Sequence, residues 1–298
     1  MIYQPASQAR QQRSQPFQQY FLSSTYRAKI GKLFPDVEPD VRSRLILDDV
    51  AIYSATDQRI SDTMSLTLLK FVPPCCTVVN ATSSAAGNTF SFARHFANVV
   101  AVEKNRERFR HLCHNAKVLN AGNVCCVHSD AVHVLLPHRA PPRQERDDDD
   151  PHGRCQFLPP FPLDLVFIDP PWGGPRYRRN AHISLFLSHV PLAQIVKEMA
   201  HYAVCRYVTL KLPNNFDKTA FVRDAQILEV YVPTGESRGS EDREQEEQEE
   251  EKKPFDIERQ TNGYDKLESR RFALEHEQDL DTMQLMVLRL VDCARRAL

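Results

Sequence analysis

The chain lacks any run of about 18 apolar residues, so no membrane-spanning helix is expected in its 298 residues. Met1 to Gln19 is polar and glutamine-rich, so no signal peptide is expected either. None of the eight cysteines is spaced Cys-x-x-Cys, although Cys75-Cys76 and Cys125-Cys126 are adjacent pairs. Reduced, mostly buried thiols are therefore expected rather than a disulfide framework. His111-Leu112-Cys113-His114 offers metal ligands from one helix, but with no second cluster no metal is expected. No internal repeat is visible. These absences point to a soluble intracellular protein, and 42% hydrophobic residues suffice for one sizeable core plus appendages.

The only tryptophan stands in Asp169-Pro170-Pro171-Trp172-Gly173-Gly174-Pro175-Arg176-Tyr177, directly after the apolar run Leu165-Val166-Phe167-Ile168. Such a run reads as a buried parallel strand, and ligands of open α/β sheets bind where strands end. The two prolines stiffen the turn, carry no N–H and leave carbonyl acceptors facing outward. An exocyclic amine could dock there, with its N–H groups held by Asp169 and the Pro170 carbonyl. Trp172 offers a π face that holds a cationic ring more tightly than a neutral one.

Strand and helix patterns alternate around that turn. Thr77–Asn80 reads as strand one, Asn88–Phe96 as a helix, Val99–Glu103 as strand two, Arg106–Leu119 as a helix and Asn123–Asp130 as strand three. The run before Asp169 is strand four. Leu192–Tyr202 reads as a helix, Arg206–Lys211 as strand five, Ile227–Val232 as strand six and Met283–Leu290 as strand seven. The expectation is a doubly wound α/β sheet of seven strands with a small helical N-terminal extension.

The turn resembles the Asp/Asn/Ser-Pro-Pro-aromatic signature of methyltransferases that act on nucleobase amines with S-adenosylmethionine. Its longer Pro-Pro-Trp-Gly-Gly-Pro form is similar to the trimethylguanosine synthase family, which methylates the N2 amine of 7-methylguanosine caps. The resemblance implies a Rossmann-like methyltransferase with S-adenosylmethionine as cofactor. Tyr53-Ser54-Ala55-Thr56 is similar to the family's Ser-Val-Thr-Pro-Glu segment, which implies that Thr56 touches the methionine part of the cofactor; Asp57 stands where the family has proline. Gly87-Asn88-Thr89 matches the family's Gly-Asn-Thr after strand one. Glu103 matches the acid that holds the ribose hydroxyls, and Asp130 the acid paired with the adenine amine. In Asn80-Ala81-Thr82-Ser83-Ser84-Ala85-Ala86-Gly87 an amide replaces the family's acid and one glycine remains, so Asn80 is expected to recognise the cofactor's ammonium as an amide. Asp169 replaces a serine common in the family and supplies a stronger acceptor to both cofactor and amine.

The resemblance further implies a catalytic set of Asp169, Pro170 and Trp172, and cap contacts from Trp172, Arg176, Tyr177, Arg179 and Asn214. Arg176 to Arg179 follow the platform where a cap's phosphates could pass. Capped RNA is the implied partner, with small nuclear or nucleolar RNAs and a nuclear or nucleolar home as the family's habit. Two other readings stay open: an adenine-N6 methyltransferase, which also uses Asp-Pro-Pro-Trp, and a cap-binding module with impaired catalysis.

Charge is unevenly spread along the chain. Residues 1–34 carry Arg10, Arg13, Arg27, Lys29 and Lys32 without an acid, and read as a basic, flexible arm. Residues 35–72 read as the helical extension, contributing to the cofactor and cap pocket. Residues 73–298 read as the methyltransferase domain, with insertions at 137–162 and, around an acidic run, at 234–265.

Overall fold

The computed structural model describes residues 24–85, 87–140, 161–229, 270–280 and 282–292. The first 23 residues of the expected basic arm, most of the 137–162 insertion and all of the 234–265 insertion lie outside the described residues.

The strands are β1 Thr77–Asn80, β2 Asn98–Glu103, β3 Val124–His128, β4 Leu163–Ile168, the two-residue pair β5 Phe186–Leu187 and β6 Val190–Pro191, β7 Cys205–Pro213, β8 Leu228–Glu229, β9 Arg270–Leu280 and β10 Met283–Asp292. All but β5 and β6 join one sheet in the order β3-β2-β1-β4-β7-β10-β9-β8. The five strands from β3 to β7 run parallel, and β10 is antiparallel to β7. The chain order reverses direction across the sheet between β1 and β4, so the ends of these two strands flank the ligand crevice of a doubly wound fold.

The helices are α1 Ser24–Leu33, α2 Pro39–Arg42, α3 Asp49–Ser54, α4 Gln58–Leu68, α5 Asn88–His95, α6 Arg106–Val118, α7 Ala131–Leu135, α8 Leu192–His201 and α9 Lys218–Ala225. Successive strand residues face opposite sides, so Val78 packs into one core and Val79 into another. Met64 and Leu68 of α4 and Phe92 of α5 cover the first face; Ile195, Val196 and Met199 of α8 cover the second. Burial on both faces explains the apolar stretches Val78-Val79 in β1 and Leu165-Val166-Phe167-Ile168 in β4. Each fully buried phenylalanine, such as Phe92 or Phe167, contributes roughly 2–3 kcal/mol by removal from water.

All seven expected strands occur; of the sixth, expected at 227–232, residues 227–229 are described and 228–229 form the strand. An eighth, β9, was not expected and lies between β8 and β10. Its sequence, Arg-Arg-Phe-Ala-Leu-Glu-His-Glu-Gln-Asp-Leu, is charge-rich because much of it lies outside the core, where charge discourages pairing with other chains. The arm boundary at residue 34 is also corrected: α1 is helical and buries Tyr26 and Ile30, while Tyr26 exchanges hydrogen bonds with the Leu47 backbone. Cys125 departs from the expected free thiols, being disulfide-bonded, whereas Cys75, Cys76, Cys113, Cys126 and Cys205 are free.

Candidate active site

Strand β4 ends at Ile168, whose register partner on β7 is Leu210, so the next residues, Asp169 and Lys211, emerge side by side. Lys211 Nζ donates to Asp169 Oδ2 at 2.6 Å and to Thr56 Oγ1 at 2.7 Å. It also lies 5.1 Å from the centre of the Trp172 ring. The lysine side chain is 3% exposed and that of Asp169 18%. A buried lysine must keep partners to stay charged, and here it has a carboxylate, a hydroxyl and a π face. Burial pushes the Asp169 carboxyl above its usual range, and the Lys211 ammonium opposes that shift without cancelling it.

Thr56, Asp169 and Trp172 are thus gathered around one cation, which the sequence had marked only as the end of strand five. A signal existed: Lys211 is a charged residue inside the apolar run Val208 to Pro213 at the end of a buried parallel strand. Only the register of β7 against β4 shows which carboxylate it meets.

The loop after β1 approaches from the other side. Thr82 Oγ1 accepts the Asp169 backbone N–H at 2.8 Å, which fixes the start of the Pro-Pro turn. Gly87 has φ 77°, and a Cβ there would sit 3.3 Å from the Thr56 backbone nitrogen. The one glycine left in the loop therefore stands where both conformation and close approach require it. Asn88 Oδ1 accepts from Ser61 Oγ at 3.0 Å, tying α5 to α4. Asp57, in place of the family's proline, caps α4 by accepting the Arg59 N–H at 2.9 Å.

The loop is anchored from beneath by Asn115 of α6, fully buried, whose amide donates to Ala85 O and Ile46 O and accepts from Ile46 N. No sequence motif had marked it. Asn80 is 1% exposed, its Nδ2 donates to Thr89 Oγ1 at 2.9 Å and its Oδ1 accepts from Thr82 N at 3.3 Å. These bonds hold the shape of the loop and leave one lone pair of the amide oxygen unused by them.

Glu103 ends β2 and Asp130 follows β3, so both carboxylates lie at the same edge as Asp169. Burial raises the Glu103 carboxyl, while the Asn105 and Ser84 N–H groups pull it down; the Asn105 bond is 2.6 Å. Asp130 is also buried in part, but bonds from Ser188 Oγ, the Val132 N–H and Lys104 hold its carboxyl below the usual range. Ser188 is the tip of the β5–β6 turn, where residues 188 and 189 both have positive φ. Asp130 thus caps α7 and holds this hairpin, a structural task the sequence did not reveal.

Beside Trp172 opens a cleft of about 530 Å³, lined by Pro171, Trp172, Gly173, His182, Ile183 and Phe186 among others. Pro170 is buried. Tyr177 is 9% exposed and meets Trp172 edge-on, ring centres 5.2 Å apart, so it props the tryptophan. Arg176 and Arg179 are exposed on the 3-10 turn Pro175–Arg179. The arginine that stacks on Tyr177, at 5.7 Å, is the intervening Arg178. Asn214 is exposed, and it is Asn215 that pins the loop by donating to Tyr177 O and Asn180 O, both at 2.9 Å.

Comparison with known proteins bears on what this arrangement serves. The model of the RNA cap guanine-N2 methyltransferase family matches residues 75–240, more than half of the chain. The chain belongs to that family. The match begins two residues before β1, so Thr56 and the whole N-terminal extension come from outside it. Two relatives are similar. An uncharacterized protein of Acanthamoeba polyphaga mimivirus is 26% identical, over 62% of this chain and 73% of that protein. Trimethylguanosine synthase of Schizosaccharomyces pombe is 25% identical, over 57% of this chain and 64% of that one. Among solved structures, TrmN of Thermus thermophilus (13% identical, 77% of this chain and 49% of that one, TM-score 0.40) is similar. So is a precorrin-6y methyltransferase of Geobacter metallireducens (11%, 82% and 93%, TM-score 0.38).

As a family member the chain is a methyltransferase that uses S-adenosylmethionine. The residues present fit that group. The loop from Asn80 to Gly87 passes close enough to Thr56 to require glycine, and Glu103 offers a buried acceptor at the end of β2, where a vicinal diol can donate two hydrogen bonds.

Proposed function

We propose that the protein methylates the N2 amine of the guanine cap of RNA, converting 7-methylguanosine caps to their N2-methylated forms. The observation that carries this reading is Asp169 and Trp172 at the end of β4, beside an open cleft and next to Thr56. The cofactor supplies an electrophilic methyl group on a sulfonium. Glu103 would hold the ribose hydroxyls, Asp130 the adenine amine, and Thr56 with Gly87 and Asn88 the methionine end.

The work of the acceptor side is placement. Asp169 Oδ2 is bonded to Lys211, which leaves Oδ1 for one amine N–H while the Pro170 carbonyl takes the other. Holding both N–H groups aims the nitrogen in line with the methyl, and the carboxylate, raised by burial, can take the proton that the methylated amine must lose. Trp172 stacks on the base and Tyr177 keeps it in place. Arg176, Arg178 and Arg179 lie on the adjoining turn, suited to the cap's phosphates. The acceptors would be capped RNAs, including small nuclear and nucleolar ones, in the nucleus or nucleolus.

The test is incubation with a 7-methylguanosine cap dinucleotide and cofactor, with products located by fragment mass. Methyl on guanine N2, lost in Trp172→Ala, supports the reading; methyl on adenine N6 or on ribose overturns it.

A further inference from the structure

We propose that Lys211 is a specificity-determining residue, and that it makes this enzyme accept neutral guanine nearly as well as the cationic 7-methylguanine. The proposal rests on the reading above that Asp169 and Trp172 receive the base.

Two features of that pocket would draw a cationic base: the negative charge of Asp169 and the π face of Trp172. Lys211 occupies both. Its ammonium is 2.6 Å from Asp169 Oδ2 and 5.1 Å from the Trp172 ring centre, and a third bond of 2.7 Å to Thr56 fixes it there. The carboxylate is then neutralised by a partner built into the neighbouring strand, and the ring quadrupole already faces a positive charge. A second cation stacked on Trp172 meets like charge in a site that is 3% exposed at the lysine, where water screens little. A neutral purine keeps the stacking and both N–H bonds without that repulsion. Arg178, whose guanidinium lies over the Tyr177 ring that props Trp172, adds a further positive charge nearby.

The experiment compares transfer to a 7-methylguanosine cap dinucleotide and to its N7-unmethylated counterpart. Wild type, Lys211→Met and Lys211→Arg are used, with cofactor affinity of each followed by calorimetry. The ratio of the two acceptor KM values is the readout, because it does not depend on how much of a variant is folded. The proposal expects a wild-type preference for the cationic cap within about fivefold, raised by about tenfold or more in Lys211→Met and unchanged in Lys211→Arg. A wild-type preference above about fivefold overturns it, as does a smaller rise in Lys211→Met. The wild-type ratio decides alone should the methionine variant fail to fold. If Trp172→Ala leaves both KM values unchanged, the stacking reading itself has failed. If that variant weakens both acceptors while Lys211→Met leaves their ratio alone, only the role given to Lys211 is wrong.

Discussion

Gly87 lies against the Thr56 backbone so closely that a Cβ on the glycine would sit 3.3 Å from Thr56 N and 3.5 Å from Thr56 O. This contact locks the loop after β1 onto the N-terminal extension, which falls outside the family match, so this edge of the site is assembled from two segments. Gly87→Ala adds steric pressure there and strain at φ 77°. The expected cost is about 1–3 kcal/mol of stability, and displacement of the loop should weaken cofactor binding by roughly tenfold. Thermal unfolding and calorimetric titration of S-adenosylmethionine measure the two effects. An alanine variant with native cofactor affinity would separate this loop from the cofactor.

Asn115 is the matching anchor from below, bonding Ile46 and Ala85 together through one buried amide. Asn115→Leu leaves one buried and two part-buried backbone groups without this partner, so we expect a loss of about 3 kcal/mol, or roughly 6–12 °C in Tm. A change below about 1 kcal/mol would mean that water or backbone movement restores those bonds.

For Asp169 the sign of the pH dependence follows from burial. Its folded carboxyl is raised, so the folded protein holds the proton more tightly than the unfolded chain does. Ionisation of Asp169 therefore costs stability as pH rises from its ordinary value through its raised one. Activity runs the other way, because only the ionised form can take the proton that the methylated amine must lose. The acid limb of kcat should lie above the ordinary aspartate value of about 3.9. Asp169→Asn should lower kcat by about a hundredfold or more and remove that limb. A variant that keeps the wild-type limb would place the titrating group elsewhere.

How much of this was legible in the sequence depended on whether the chemistry was local. The strands were readable because β1, β4 and β7 are buried on both faces, and the turn at Asp169 was readable because proline, tryptophan and glycine act through their own backbone and rings. β9 was missed because its charged residues outnumber its buried ones, and an exposed strand carries no apolar run. Lys211 was under-read because its role arises from strand register, which couples residues 42 positions apart. The loop-shaping bonds of Asn80 to Thr82 and Thr89 were not legible, because its resemblance to an acid says nothing of which groups engage its amide. Asn215 and Arg178 went unmarked beside Asn214 and Arg179, because their contacts, to the Tyr177 and Asn180 carbonyls and to the Tyr177 ring, arise only in the folded loop.

Trp172 carries the central claim. We expect Trp172→Ala to raise the acceptor KM by about tenfold or more, since base–aromatic stacking contributes about 1–3 kcal/mol, while cofactor affinity stays within about twofold. The direct measurement is the mass and position of methyl added to a 7-methylguanosine cap dinucleotide by the wild-type protein. The account predicts methylation at guanine N2, abolished or strongly reduced in Trp172→Ala. Tight cofactor binding with no methyl at N2, or N2 methylation at an unchanged acceptor KM in Trp172→Ala, would contradict it.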